Sequence, residues 1–300
     1  MTDGQRVRVV ASDGVELDAV VHRPASGAPG TESGTGAGTG AGTGAATEAG
    51  NRPGTRSGTG PEGTVLLVHG ISADLDEGGA FVRLAQRLAE QGLTALRFSF
   101  RGHGESGGAP QGVTIAGEML DLAAVAAYAE RELPGPLAVV AASFGAVSTG
   151  LSMPWLGGRL ARLVLWNPVL DLRRTFLEPE LPWGLANFGP GPLKGLAEHG
   201  ELLIGGRFAL GRVLFAELAA HRPIDAYTAG GPPALVLHGD RDDCVSFDIA
   251  RDVAATVPHW EFRPLPGAGH GFHSPEHEPE AIAVTARWLA RGMTAQGGTV

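Results

Sequence analysis

Three residue types between residues 143 and 270 could together perform nucleophilic acyl chemistry. They are a serine at the end of an apolar run, carboxylates in an acidic loop, and a histidine set between glycines. The run Leu137-Ala138-Val139-Val140-Ala141-Ala142 stops at Ser143-Phe144-Gly145-Ala146, where small residues can open a helix. A serine on such a strand-to-helix turn is lifted clear of the sheet, and the N–H of the following Phe144 points at whatever the hydroxyl attacks. The local pattern is A-x-S-x-G: Ala141 stands where a G-x-S-x-G elbow has its first glycine, and a methyl group fits that crowded position where a larger side chain would not. Ser143 is therefore the candidate nucleophile.

A serine needs a base, and the base needs an orienting acid. Ala234-Leu235-Val236-Leu237-His238-Gly239 reads as a buried strand that breaks at glycine into a loop carrying Asp240, Asp242 and Asp243. Downstream, residues 259–265 alternate like a strand and enter Pro266-Gly267-Ala268-Gly269-His270-Gly271-Phe272, which supplies the histidine. The chain order is Ser, Asp, His, one of three orders known for such triads.

On these motifs the chain resembles the α/β-hydrolase superfamily, from about residue 64 to its last helix. Val65-Leu66-Leu67-Val68-His69-Gly70-Ile71 looks like the strand ending in His-Gly, after which the resemblance implies that the N–H of Ile71 forms one half of an oxyanion hole and that of Phe144 the other. The H-G-x-x-D-x-x-V loop maps onto His238, Gly239, Asp242 and Val245, which selects Asp242 as the acid. The G-x-G-H-G-F-like loop makes His270 the base. Phe98-Ser99-Phe100-Arg101-Gly102-His103-Gly104-Glu105-Ser106 is similar to the D-x-R-G-x-G-x-S turn, with Ser99 in place of the acidic residue. This loop reads as architecture, with Arg101 pairing to backbone or a carboxylate. The R-G-H-G-E-S loop and Gly205-Gly206-Arg207-Phe208 resemble bacterial esterases of the cinnamoyl esterase branch.

The resemblance implies an α/β-hydrolase fold, a mostly parallel central sheet with helices on both faces, within one domain spanning residues 1–300. Alternating strands and helices agree with it: strands at 6–10, 15–22, 65–71, 94–100, 137–142, 160–167, 233–239 and 259–265, and helices at 79–91, 114–133 and 278–291. Residues 26–63, rich in Gly, Thr and Ala, cannot bury a core and are expected to be a disordered insertion, spanning roughly 35 Å as a flexible coil. Residues 172–231 fall where the family carries a cap or lid. Its Trp183 and Phe188 are the candidates to line the substrate pocket, and a helical pattern runs through 211–220.

A net charge of −9 argues against a nucleic-acid partner, because phosphate binding needs a basic face. The start of the chain lacks the apolar stretch of a leader, and no run of about eighteen apolar residues occurs, so a soluble cytoplasmic protein without membrane association is expected. The single Cys244 reads as a packed small residue, and the ten histidines lack metal-ligand spacing, so no metal and no cofactor is expected. The expected reaction is hydrolysis of a small-molecule carboxylic ester through an acyl-enzyme on Ser143. The same triad would serve a thioesterase or an acyltransferase. A hydrolase-like protein that binds without turnover is the reading from a different class, motivated by Ala141 and Ser99.

Overall fold

The computed structural model describes residues 4–25 and 62–293. Their strands in chain order are β1 (Gln5–Val10), β2 (Glu16–His22), β3 (Thr64–Val68), β4 (Thr94–Phe98), β5 (Leu137–Ala142), β6 (Leu160–Trp166), β7 (Glu201–Ile204), β8 (Phe208–Gly211), β9 (Ala234–Gly239) and β10 (Trp260–Leu265). Eight of them form one sheet in the order β1-β2-β4-β3-β5-β6-β9-β10. From β4 to β10 every neighbouring pair is parallel, whereas β2 runs antiparallel to both β1 and β4.

The central strands β3, β5 and β9 are buried along their whole length, as unbroken apolar runs require when a parallel sheet is covered on both faces. Because side chains alternate across a strand, Leu66, Val68, Val139, Ala141 and Val236 enter one core with helices α2 (Ile115–Glu132), α3 (Gly145–Leu156) and α8 (Phe247–Thr256). Val65, Leu67, Ala138, Val140, Leu235 and Leu237 enter the other with α1 (Ala80–Glu90) and α9 (His277–Gly292). Thr114 caps α2, its hydroxyl accepting the Gly117 N–H at 2.9 Å. The expected strand through residue 100 ends at Phe98, because the next residues turn to other partners: the Phe100 N–H donates to His69 Nε2 at 2.9 Å.

Between β6 and β9 the chain forms α4 (Pro182–Phe188), α5 (Pro190–His199), the β7–β8 hairpin, α6 (Arg212–Leu218) and α7 (Pro223–Thr228). The helical pattern at 211–220 corresponds to α6, while the hairpin is an addition to the sequence reading. Its turn passes through Gly205 and Gly206 at φ of 56° and 70°, a region glycine enters without steric cost, and closes with Arg207 N–H on Ile204 O at 3.1 Å. This insert shares a third apolar cluster with Ile71, Phe144 and Val147, and so lies against the carboxyl ends of the central strands. The expected insertion at 26–63 lies outside the described residues except for Glu62 and Gly63.

Candidate active site

Ser143 follows β5 at φ 50°, the left-handed conformation of an elbow, which is costly for a residue with a side chain. The turn is pinned on both sides: Ser143 N–H donates to Trp166 O at 2.9 Å, and Val169 N–H donates to Ser143 O at 3.0 Å. Gly145 is needed because α3 starts against the end of β3. A Cβ there would lie 2.6 Å from His69 O and 2.7 Å from Val68 O. Ala141, where an elbow usually has glycine, is fully buried.

His270, in the loop after β10, places Nε2 3.0 Å from Ser143 Oγ and Nδ1 2.8 Å from Asp242 Oδ2. Asp242 lies in the loop after β9, and its other oxygen accepts the N–H groups of Cys244 and Val245, both at 2.8 Å. Burial pushes the Asp242 carboxyl up, but hydrogen bonds from His238 and His270 outweigh it and hold the group well below the usual carboxylate range. Burial disfavours a charged His270, yet the bond to Asp242 and the nearby charges of Asp242, Glu77 and Asp243 raise its pKa above the ordinary histidine value. Of the other two loop aspartates, Asp240 accepts the Gly267 N–H at 2.7 Å and Asp243 accepts the Cys244 thiol at 3.4 Å. Neither is bonded to the imidazole.

Ile71 and Phe144 are buried beside the serine, and neither N–H donates to another backbone group among the described residues. Behind Ile71, His103 joins two loops: its Nε2 lies 2.9 Å from Ile71 O and its Nδ1 2.9 Å from Arg101 O. The same ring stacks on Phe208 of the hairpin at 4.6 Å. Arg101 pairs with Asp121 at 2.7 Å and Asp13 at 2.6 Å, the carboxylate role expected of it. Ser99 Oγ accepts the Leu75 N–H at 3.0 Å, standing in for an acidic residue as a loop acceptor.

The two pocket candidates part company. Phe188 has no exposed surface and packs edge to face on Phe176 at 5.0 Å and on Trp183 at 5.4 Å, so it belongs to the packing of the insert. Trp183 is partly exposed, and its backbone N–H donates to Asp243 O at 3.1 Å, docking α4 on the acid loop.

Asp242, Cys244 and His270 present three potential metal-ligand atoms within 4.8 Å of one another. The set fits a metal poorly: Asp242 and His270 are bonded to each other, and burial together with Asp242 and Asp243 holds Cys244 as the thiol, whereas metals take the thiolate.

Three residues not singled out as site candidates in the sequence complete the surroundings. Glu77, in the loop before α1, accepts the Gly70 N–H at 2.8 Å, Asn167 at the end of β6 accepts the Gly239 N–H at 3.0 Å, and His238 Nε2 lies 3.3 Å from Asp242 Oδ2. Only His238 carried a signal, through its place in the acid-loop motif.

Comparison with known proteins agrees with this arrangement of strands and loops. The alpha/beta hydrolase family matches residues 65–285. No curated protein sequence matches the chain. Among solved structures, Est1E from Butyrivibrio proteoclasticus with ferulic acid bound superposes with a TM-score of 0.71 at 18% identity, covering 95% of this chain and 98% of that one. The esterase Pf2001 from Pyrococcus furiosus gives a TM-score of 0.64 at 19% identity, with 97% and 92% covered. A thermophilic esterase from Thermogutta terrifontis with malate bound gives 0.61 at 20% identity, with 97% and 100% covered. No helix among the described residues is long and apolar enough to cross a membrane.

Proposed function

Because the chain belongs to the alpha/beta hydrolase family, we propose that it hydrolyses a small-molecule carboxylic ester through an acyl-enzyme on Ser143. The observation that carries this reading is the line of contacts from Ser143 Oγ through the His270 ring to Asp242, at 3.0 and 2.8 Å.

In that mechanism Ser143 gives its proton to His270 Nε2 as its oxygen attacks the ester carbonyl. Asp242 holds the ring by Nδ1 and stabilises the imidazolium that forms. The N–H groups of Ile71 and Phe144 face the charge that develops on the carbonyl oxygen, a contribution of about 3 to 4 kcal/mol per donor in such sites. His270 then protonates the departing alcohol, and water repeats the sequence to release the acid and restore Ser143. The esterases and the ferulic acid complex among the similar structures support an ester substrate.

The test is labelling by a fluorophosphonate probe together with hydrolysis of a graded series of p-nitrophenyl esters. Wild-type protein is expected to be labelled, and Ser143→Ala to lose both labelling and about four to six decades of turnover. Labelling that persists in Ser143→Ala would reject the assignment.

A further inference from the structure

A small cavity opens directly onto Ser143 and His270, with Glu77 and Asn167 also in its wall. Its volume is about 10 Å³, the room one water molecule takes by the same measure. A water in such a place needs two to four polar partners. The wall supplies them in the right sense. Glu77 is fixed through Oε2 by the Gly70 N–H, which leaves Oε1 as an acceptor. Asn167 uses its amide oxygen for the Gly239 N–H, which leaves the donor half of its amide.

The backbone marks the same spot. Four described non-glycine residues have positive φ: Glu77 at 46°, Ser143 at 50°, Asn167 at 43° and Phe272 at 58°. Three of them line this cavity, and the fourth follows Gly271 of its wall. For a residue with a side chain this conformation is uncommon and persists where the surroundings impose it, with asparagine the type that adopts it most readily. Three separate loops thus turn through the left-handed conformation around a space for one water.

We infer that this cavity seats the water that hydrolyses the acyl-enzyme, and that Glu77 is the residue that positions it. The inference rests on the ester hydrolase reading above. The water gives a proton to His270 Nε2, and its oxygen bonds to the acyl carbon. Collapse breaks the bond to Ser143 Oγ, which takes the proton back from His270 as the carboxylic acid leaves. A water seated in the wall is in place before an alcohol can arrive from solution, so Glu77 commits the site to hydrolysis over acyl transfer. The charged groups facing His270 are Asp242, Glu77 and Asp243, and Asp74 adds its charge at Glu77.

The experiment partitions the acyl-enzyme between water and methanol, using p-nitrophenyl acetate as the acyl donor. Glu77→Gln keeps an oxygen for the Gly70 N–H. It is expected to slow deacylation about ten-fold more than it slows the reaction with a fluorophosphonate, to show a burst of p-nitrophenol, and to turn over a larger share of acetyl groups to methyl acetate. Ala80→Val, which fills the same cavity from α1 and leaves Glu77 in place, is expected to shift the partition in the same direction. A merely structural role for Glu77 would lower both steps together and leave the partition unchanged. An unchanged partition in either variant overturns the inference. Wild-type protein that resists the fluorophosphonate would instead overturn the underlying ester hydrolase reading.

Discussion

His238 Nε2 stands 3.3 Å from Asp242 Oδ2, the oxygen that His270 Nδ1 reaches at 2.8 Å, and equally 3.3 Å from Val245 O, so one carboxylate oxygen has two imidazoles beside it. His238 is fully buried at the end of β9, and the bond it offers helps keep Asp242 ionised against the cost of burial. A hydrogen bond to a charged group contributes about 1.5 to 3 kcal/mol. Replacing His238 by Leu should lower kcat/KM by about ten-fold, well short of the loss expected for Asp242→Asn. Unchanged kcat/KM would show that the ring only packs.

The strain at Ser143 has a measurable sign. Glycine accepts φ of 50° without penalty, whereas alanine does not. Both Ser143→Gly and Ser143→Ala should abolish turnover, but the glycine variant should melt higher than the alanine variant by about 2 °C, corresponding to roughly 1 kcal/mol. A glycine variant that melts lower would mean that the elbow stores no strain.

Activity and stability should respond to pH in opposite directions. His270 must be neutral to accept the serine proton, and its pKa is raised by Asp242, Glu77 and Asp243 over the opposing effect of burial. The kcat/KM profile should therefore climb with pH through a midpoint above the ordinary histidine value. Glu118 on α2 bonds the Ser148 hydroxyl of α3 and is fully buried, which pushes its pKa up to about 8, assisted by the charges of Asp121 and Glu217. The folded state holds that proton after the unfolded chain has released it. Stability should thus fall as pH rises from near the ordinary glutamate value to about 8. Melting curves of Glu118→Gln across this range should be flatter than wild type, and parallel curves would argue against a protonated Glu118.

Within the insert, the two aromatics should separate selectivity from stability. Trp183→Ala should alter the preference between long and short acyl esters by about 1 to 3 kcal/mol. Phe188→Ala removes a fully buried ring that packs against Phe176, Trp183 and Phe215, so it should cost about 3 to 5 kcal/mol of stability and scale activity evenly across the series. The reverse pattern would place Phe188, not Trp183, against the substrate.

The sheet and the contact among Ser143, Asp242 and His270 were readable because each residue sits just past the end of a strand with glycine close by, and strand ends are where a parallel sheet gathers its loops. The hairpin β7–β8 escaped because each strand is only four residues long and neither alternates strictly. Glu77 and Asn167 escaped for a different reason. Their importance lies in a positive φ and in a neighbour brought from another loop, and neither shows in a residue type. The Gly78-Gly79 pair after Glu77 marks a turn there but not what the turn holds.

The parts of the site are far apart along the chain: Ser143 and His270 are separated by 127 residues, and the strands that carry them are joined only through β6 and β9. No short fragment contains the machinery, and bringing Ser143 to His270 closes a loop of 127 residues before it gains that contact. During refolding, the chain should bury its helices and quench its tryptophans well before it can be labelled at Ser143. The interval between those two signals times the docking of β9 and β10 onto a sheet already built from β3 to β6.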